Sequence, residues 1–400
     1  MFLKYSGSKE GGLFKSRLFG KITCILLVYR EDILPKLGPG WRVKMKVLFI
    51  VDSLNYGGAG RVVSLIASEL CKGKNTIEIL LLGQICHESN LREYPVNENV
   101  IVTYYEKETN RKVSHWYNYV NYIRSYFRNE KIDVCFAFLN VYAEYALIAK
   151  LFTKTKVIAC ERNDPHNSPL EKVYRIARNP LYATANKIVC QTKDMVSFFP
   201  MYIQKKCTII SNPINKNISA VYGGKRQDKI VMVGKLTAQK NYTMAVDAFS
   251  KIMDKLDTYV VEIYGEGQLR NHIQEQIENM GLENRIFLKG HSDNVFNEIE
   301  DAKLFVMSSD YEGMPNALME AMAMGLPCIA TDCPIGGSRE IIRDGENGIL
   351  VPVNDSDYLA NEILKVLGDN DLQCRLSLEA SKIRNTLDIS VIAKKWEELL

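Results

Sequence analysis

The chain has 400 residues, more than one hydrophobic core usually serves, so its length predicts two domains. Its composition, 46% hydrophobic and 24% charged, is that of an ordinary globular protein and excludes a disordered or fibrous chain. Residues 1–44 hold nine basic and three acidic residues, and the other 42 basic and 44 acidic residues leave a nearly neutral body. That balance argues against a nucleic-acid partner.

The ten cysteines form neither a CxxC pair nor the Cys/His spacing of a zinc site, which predicts reduced thiols in a cytoplasmic protein. Near the amino terminus, the apolar run ITCILLVY is much shorter than the roughly twenty residues that span a bilayer. It also lacks the small-residue cleavage site of a secretory signal. We interpret residues 1–44 as a disordered extension or a misassigned start ahead of Met45, with a membrane-touching basic tail as the alternative.

From Met45, apolar strand-like runs alternate with amphipathic helices, a pattern typical of parallel sheets covered on both faces. The first half carries KVLFIVD (46–52), IEILLLG (77–83), VIVTYY (100–105), DVCFAFL (133–139), KVIAC (156–160), KIVCQT (187–192) and CTIIS (207–211). After a Pro/Asn break come KIVMVGKL (229–236), YVVEIYGEG (259–267), RIFLKG (285–290), KLFVMSS (303–309), PCIATD (327–332) and GILVPV (348–353). The sequence therefore predicts an α/β protein with two Rossmann-like parallel-sheet domains facing across a cleft.

The break and the terminal pattern suggest the domain bounds. We expect an amino-terminal domain at 45–215, a carboxyl-terminal domain at 216–385, and a terminal helix at 386–400 that packs back on the first domain. Ligands in such folds bind at the carboxyl ends of the strands. Polar residues that directly follow strand-like runs are therefore the candidates for a binding site.

The segment DYEGMPNALMEAMAMG follows one of these runs and is typical of a turn leading into a helix. Pro315 suits a first helical position and Gly325 a helix end, so the pattern predicts a helix between them. Its first amides would form an anion site. Glu312 and Glu320 could flank a diphosphate there, one toward a sugar and the other toward a ribose. The alternative is that Glu312 merely complements the helix dipole and that Glu320 is a solvated helical residue.

Other strand ends carry further candidates. In VGKLTAQKN, Lys235 and Lys240 could neutralise a diphosphate leaving group, unless they are ordinary solvated lysines. Gly57 and Gly58 follow the first strand at the edge of the cleft, with a purely structural turn as the alternative. Arg162 and Asn163 could face an acceptor, or could belong to a turn fixed by side-chain hydrogen bonds.

As a set, these motifs resemble glycosyltransferase family 4, the group 1 glycosyl transferases of GT-B fold. EGMPNALME matches the family's E-x7-E signature, and GKLTAQKN matches its G-[RK]-L-x-x-x-K-[GN] element. NYGGAGRVVSLIASEL resembles its amino-terminal Gly-Gly loop and first helix, and TDCPIGGSREIIRDGENGILVP the segment after the second acid. ACERNDP resembles a subgroup common in capsule and exopolysaccharide clusters. The resemblance extends over residues 46–400.

The resemblance implies a retaining transfer of a sugar from a nucleotide-diphosphate donor to a saccharide or polyprenyl-linked saccharide in surface polysaccharide synthesis. We expect the donor to be a UDP-sugar. Lys235 and Lys240 would hold the diphosphate, and Glu320 would accept from the ribose hydroxyls. Glu312 would contact the sugar together with the turn of Gly313, Met314, Pro315, Asn316, Ala317 and Leu318. The acceptor side would include Gly57, Gly58, Arg162 and Asn163. The family needs no metal or other cofactor, and its leaving phosphate is thought to take the acceptor's proton.

Two positions depart from the family pattern. Gly60 stands where relatives usually carry Glu, and Lys235 stands where many carry Arg, which keeps the charge but loses the bidentate fork. The triplet DSD (355–357) looks like the metal-binding D-x-D of other glycosyltransferases. Because it opens a predicted helix, we expect it to be a helix cap instead.

The segment HWYNYVNYIRSYFRNEK (115–131) combines aromatic and basic residues. Helical spacing predicts a core stripe, formed by Trp116, Tyr119, Val120, Ile123 and Phe127. The aromatics off that stripe, beside arginines, suit a membrane interface, so contact with the inner face of the cell membrane is an open alternative.

Three other functions stay open at this point. A GT-B sugar-nucleotide epimerase would need a placed acid/base pair, which the sequence does not offer. A Rossmann dehydrogenase would need G-x-G-x-x-G, which the Gly57–Gly58 loop lacks. A non-catalytic donor-binding protein would not need the intact acids and lysines.

Overall fold

The structure is a computed structural model that describes residues 44–55, 57–83, 94–105, 115–166, 172–214, 218–219 and 221–400. Met45–Leu400 forms one compact unit. The predicted extension at 1–44, apart from Lys44, lies outside the described residues, as does the predicted domain boundary at 215.

The first sheet has seven parallel strands within the described residues, in the order β3-β2-β1-β4-β5-β6-β7. The strands are β1 (Lys46–Val51), β2 (Thr76–Leu81), β3 (Ile101–Tyr104), β4 (Val134–Phe138), β5 (Lys156–Cys160), β6 (Lys187–Cys190) and β7 (Cys207–Ile209). The helices are α1 (Gly58–Leu70), α2 (His115–Asn129), α3 (Asn140–Ala149), α4 (Lys172–Ala183), α5 (Lys193–Phe198) and α6 (Met201–Gln204).

The second sheet has six parallel strands within the described residues, in the order β10-β9-β8-β11-β12-β13. The strands are β8 (Gln227–Val233), β9 (Val260–Tyr264), β10 (Ile286–Gly290), β11 (Ala302–Met307), β12 (Cys328–Thr331) and β13 (Ile349–Val351). The helices are α7 (Tyr242–Ser250), α8 (Arg270–Asn279), α9 (Val295–Ile299), α10 (Asn316–Ala323), α11 (Ser356–Gly368), α12 (Asn370–Ser381), α13 (Ile383–Thr386) and α14 (Ile389–Glu397).

This architecture confirms the predicted fold class, two parallel-sheet α/β domains of GT-B type. Each apolar run overlaps a strand, and the inner strands are apolar over most of their length because they are buried on both faces. In each sheet the order reverses beside the first strand, between β1 and β4 and between β8 and β11. Such a reversal leaves a crevice at the carboxyl ends of the strands. The candidate site residues follow the strands at these ends.

The last helix, α14, packs against α1 of the first domain. Its Trp396 is fully buried, and its ring centroid lies 5.1 Å from that of Phe136 and 5.5 Å from that of Phe138. The backbone N–H of Ile214 donates to the Leu387 carbonyl at 2.9 Å. The two places where the chain passes between the domains therefore lie side by side.

Several local predictions can be compared with this fold. The DSD triplet is a helix cap as expected, because the Asp355 side chain accepts from the Tyr358 N–H at 2.8 Å. Pro315 is the N-cap of α10 and not its first residue, since its ψ of 103° is outside the helical range. The prediction that Trp116 joins a core stripe is wrong: its side chain is 45% exposed, whereas Val120, Ile123 and Phe127 are buried. No helix within the described ranges is long and apolar enough to cross a membrane.

Candidate active site

A cleft of about 500 Å³ lies between the carboxyl ends of the two sheets. It brings together thirteen of the fourteen residues predicted from the sequence: Gly57, Gly58, Arg162, Asn163, Lys235, Lys240, Glu312, Gly313, Met314, Pro315, Asn316, Ala317 and Glu320. The fourteenth, Leu318, points its fully buried side chain into the core. Both acids are buried, so the alternative that Glu320 is a solvated residue does not hold.

Lys240 and Glu312 form an ion pair in the second domain. The Lys240 Nζ lies 2.5 Å from Glu312 Oε1, which also accepts from the Ser309 hydroxyl at 2.9 Å. The side chain of Glu312 is only 9% exposed and that of Lys240 is 19% exposed. A pair in such a site is weakly screened by solvent, so each charge strongly constrains the other. Lys235, by contrast, is an exposed residue at the cleft wall.

Hydrogen bonds fix the lysine loop against the turn that carries Glu312. The Asp310 N–H donates to the Gln239 carbonyl at 2.9 Å, and the Gln239 amide donates to the Tyr311 carbonyl at 2.8 Å. The Ser308 hydroxyl donates to the Lys240 carbonyl at 2.9 Å. These contacts join the loop after β8 to the turn after β11, two neighbouring strands, and thereby set the position of the ion pair.

The amino terminus of α10 opens into the cleft. Its N-cap, Pro315, makes no side-chain capping hydrogen bond. The first amides of a helix lack intrahelical acceptors and carry a partial positive charge, so this end of α10 suits an anionic ligand. Gly313 is needed here because a Cβ at that position would lie 2.5 Å from the Arg162 carbonyl oxygen of the first domain. Only a glycine allows the two domains to approach so closely.

Asn212, which sequence reasoning missed, connects the acceptor side to the donor side. Its Oδ1 accepts from Arg162 Nη1 at 3.0 Å, and its Nδ2 donates to Asn316 Oδ1 at 2.8 Å. Its backbone N–H lies 3.1 Å from the Met314 sulfur. Asn212 is itself buried, and it stands in the Pro/Asn break between the domains. In the sequence, the only feature that pointed to Asn212 was therefore its position in this Pro/Asn-rich break.

Arg162 and Asn163 follow β5 and the buried Glu161, which forms an acidic pair with Glu144. The Arg162 guanidinium lies 4.5 Å from the ring centroid of Phe138. Burial raises the pKa of Glu161 to about 7 and that of Glu144 to about 8, although the nearby Arg178 acts to lower both pKa values. The Tyr182 hydroxyl donates to Glu161 Oε2 at 3.2 Å.

The structure explains the departure at Gly60. A Cβ at this position would lie 2.4 Å from the Ser53 carbonyl oxygen, because the first turn of α1 packs directly on the backbone that follows β1. The Glu that relatives usually carry has no room here. Arg61, the next residue, extends across the cleft and forms an ion pair with Glu320 of α10. The quoted Gly-Gly motif contains this arginine, but its distant partner could not be identified from spacing.

Among the described residues, no group of three or more His, Cys, Asp or Glu side chains is arranged to hold a metal ion. The charged and anion-binding groups that line the cleft are two lysines, two arginines of the first domain, two acids and the start of a helix. Together they offer positive charge for phosphates and carboxylate oxygens for hydroxyl groups.

Comparisons with known proteins agree with this arrangement. Residues 215–383 match the family described as glycosyl transferases group 1. The chain is 30% identical over 281 residues to N-acetylgalactosamine-N,N'-diacetylbacillosaminyl-diphospho-undecaprenol 4-alpha-N-acetylgalactosaminyltransferase of Campylobacter jejuni, a match that covers 67% of this chain and 76% of the relative.

A second Campylobacter jejuni protein, GalNAc-alpha-(1->4)-GalNAc-alpha-(1->3)-diNAcBac-PP-undecaprenol alpha-1,4-N-acetyl-D-galactosaminyltransferase, is 26% identical over 365 residues, covering 89% of this chain and 98% of the relative. Among solved structures, Anabaena HepE in complex with UDP and glucose superposes with a TM-score of 0.73 at 17% identity, covering 89% of this chain and 99% of that one. The structural match shows the shared fold. The matches to the two Campylobacter proteins cover more of this chain than its second domain alone. The chain therefore belongs to the group 1 glycosyl transferases, and it is a glycosyltransferase of the GT-B fold.

Proposed function

We propose that the enzyme transfers a sugar from a UDP-sugar to a saccharide or polyprenyl-linked saccharide in surface polysaccharide synthesis, such as that of capsule or exopolysaccharide. One observation carries the proposal: the lysine loop, the amino terminus of α10 and both acids line a single cleft with the glycine loop of the other domain. Membership of a glycosyltransferase family argues against the epimerase, dehydrogenase and non-catalytic alternatives.

In the proposed complex, the diphosphate lies between the amino terminus of α10 and the lysines. Lys240 and Lys235 neutralise charge that develops on the leaving group, which is where electrostatic stabilisation accelerates transfer most. Glu312, already held by Lys240, accepts a hydrogen bond from a sugar hydroxyl. Glu320 accepts from the ribose hydroxyls.

The proposed transfer retains the anomeric configuration and needs no metal. The bond from the anomeric carbon to the phosphate oxygen breaks, and the acceptor oxygen bonds to that carbon on the same face. The acceptor's proton passes to the leaving phosphate, so no protein base is required. The cations of the cleft then stabilise the departing diphosphate in the place of a metal ion.

For the acceptor, we propose a saccharide linked to a polyprenyl diphosphate, bound on the first-domain side near Gly57, Gly58, Arg162 and Asn163. The names of both Campylobacter relatives specify undecaprenyl-diphosphate-linked saccharides, which supports this class. A cytoplasmic enzyme that uses such an acceptor must work at the inner face of the cell membrane.

The first domain offers a surface for that contact. Exposed apolar side chains occur at both ends of α2. Trp116 and Tyr117 stand in its first turn, and Phe152, with its neighbour Leu151, lies beside Arg128 near its end. Phe152 is 90% exposed, and its carbonyl accepts from Arg128 Nη2 at 3.4 Å. Arg128 is exposed, as are Lys131 and Lys154, which stand within three residues of Arg128 and Phe152 in the sequence. Aromatic anchors beside cations suit an anionic lipid surface.

A binding and product assay tests the proposal. UDP-, GDP-, ADP- and dTDP-sugars are added with EDTA present, and a ligand that binds only the folded protein raises its melting temperature. We expect UDP-sugars to stabilise the enzyme, and nuclear magnetic resonance of the product to show an unchanged anomeric configuration. Stabilisation by another nucleotide alone would refute UDP, a requirement for added metal would refute metal independence, and an inverted product would refute retention.

A further inference from the structure

Arg61 is the fourth residue of α1 in the first domain, yet its side chain lies in the donor half of the cleft. Its Nη2 pairs with Oε1 of Glu320 in α10, and the two side chains are only 16% and 7% exposed. This ion pair joins the domains across the cleft, in addition to the link through Asn212. Both partners line the cleft, so the pair is in contact with the space that a donor would fill.

A third residue orients the arginine. The guanidinium carbon of Arg61 lies 5.6 Å from the ring centroid of Phe296, which belongs to α9 and also lines the cleft. Stacking on an aromatic face restricts a planar guanidinium without using its hydrogen-bond donors. The backbone of Arg61 is equally constrained, because Gly60 packs against Ser53 without space for a side chain. Both ends of Arg61 are therefore fixed before any ligand arrives.

Glu320 depends on this arginine for its charge. Burial raises the pKa of Glu320, whereas the Coulombic attraction of Arg61 and the hydrogen bond from its guanidinium lower it. A buried carboxylate that loses its partner either takes up a proton or is strongly destabilised. Only the ionised form is an acceptor at both oxygens, which is the form that suits a diol such as the ribose 2′- and 3′-hydroxyls.

We infer that Arg61 is a positioning residue of the donor site: it holds Glu320 as an oriented carboxylate for the ribose hydroxyls and so makes nucleotide capture depend on the first domain. The inference rests on the proposed function, because it needs a nucleotide donor. The donor site is then complete only when α1 and α10 are apposed. An ion pair with a merely structural role would change the melting temperature but not the recognition of the ribose.

The test compares UDP with 2′,3′-dideoxy-UDP by calorimetry, on the full-length wild type and on Arg61→Met and Arg61→Lys. We expect the wild type to bind UDP about tenfold more tightly than the dideoxy compound, the difference expected for about 1.4 kcal/mol of hydrogen bonding. In Arg61→Met this ratio should fall to near one, because Glu320 no longer accepts from the ribose. Arg61→Lys, which keeps the charge, should restore part of the ratio even if Arg61→Met folds poorly.

Steady-state kinetics provide a second readout. Arg61→Met should raise the KM for the UDP-sugar more than it lowers kcat, since the reacting atoms lie away from the ribose. If the wild type does not bind UDP, the proposed function fails and the inference fails with it. If the wild type discriminates the two nucleotides and both variants keep the wild-type ratio, the inference alone is refuted, and Arg61 is a structural contact.

Discussion

Replacing Lys240 by Met should reveal how strongly the cleft depends on its ion pair. The substitution keeps the length of the side chain but leaves Glu312 with Ser309 as its remaining partner among those described. Breaking a fully buried pair costs about 3–5 kcal/mol. Because the Lys240 side chain is 19% exposed, water screens part of the charge, and we expect a smaller loss of about 2 kcal/mol. For a domain of this size that corresponds to a melting temperature lower by about 4–8 °C.

Calorimetric melting of four proteins tests this expectation: the wild type, Lys240→Met, Lys240→Met with Glu312→Gln, and Lys235→Met. The double variant should recover to within about 1 kcal/mol of the wild type, because a neutral amide needs no counter-charge. Lys235 is exposed and has no ion-pair partner among the described residues, so its variant should melt like the wild type while binding UDP more weakly. If Lys240→Met also melts like the wild type, or the double variant is the least stable, the argument about the buried pair is wrong.

Three further outcomes are expected. Gly60→Ala should lose about 1–3 kcal/mol in chemical denaturation, because its Cβ would lie 2.4 Å from the Ser53 oxygen, whereas Gly223→Ala, with open space around it, should be neutral. Burial raises the folded-state pKa of Glu144 to about 8, so between about pH 5 and 8 the folded protein holds a proton that the unfolded chain releases. Melting temperatures should therefore fall as the pH rises through this range. Glu144→Gln should flatten the slope, and an unchanged slope would contradict the raised pKa of Glu144. Phe152→Ser should reduce sedimentation with phosphatidylglycerol vesicles severalfold without lowering the melting temperature, whereas Leu378→Ser, at another exposed site, should leave sedimentation unchanged. Equal losses in the two variants would point to non-specific adhesion, and sedimentation without vesicles would point to self-association.

The fold could be predicted because each strand of a parallel sheet buried on both faces must be apolar along its whole length. The runs KVIAC and KVLFIVD therefore contain β5 and β1 with hardly any excess residues. Trp116 was misplaced because helical periodicity identifies a face but not where its ends leave the core. Its neighbour at the next turn, Val120, is buried as the same pattern predicts.

The candidate site was predictable where residues follow strands locally, as Glu312 and Lys240 do. Their direct ion pair was not, since the order of the strands decides which turns meet. Arg61 and Asn212 show the same limit more clearly, because their partners lie 259 and 104 residues further along the chain. Gly60 was noticed as a departure, but its cause, contact with the backbone of Ser53, exists only in the folded protein.

The adjacent crossings at Ile214 and Leu387 limit how the domains can separate. A single linker would leave the second domain free to swing and twist in any direction. Two neighbouring chain segments instead favour a hinge rotation about an axis near the point where they meet. Such a rotation would displace most the parts of the two domains that lie farthest from the crossings, and the domains would return to the same relative position at each closure.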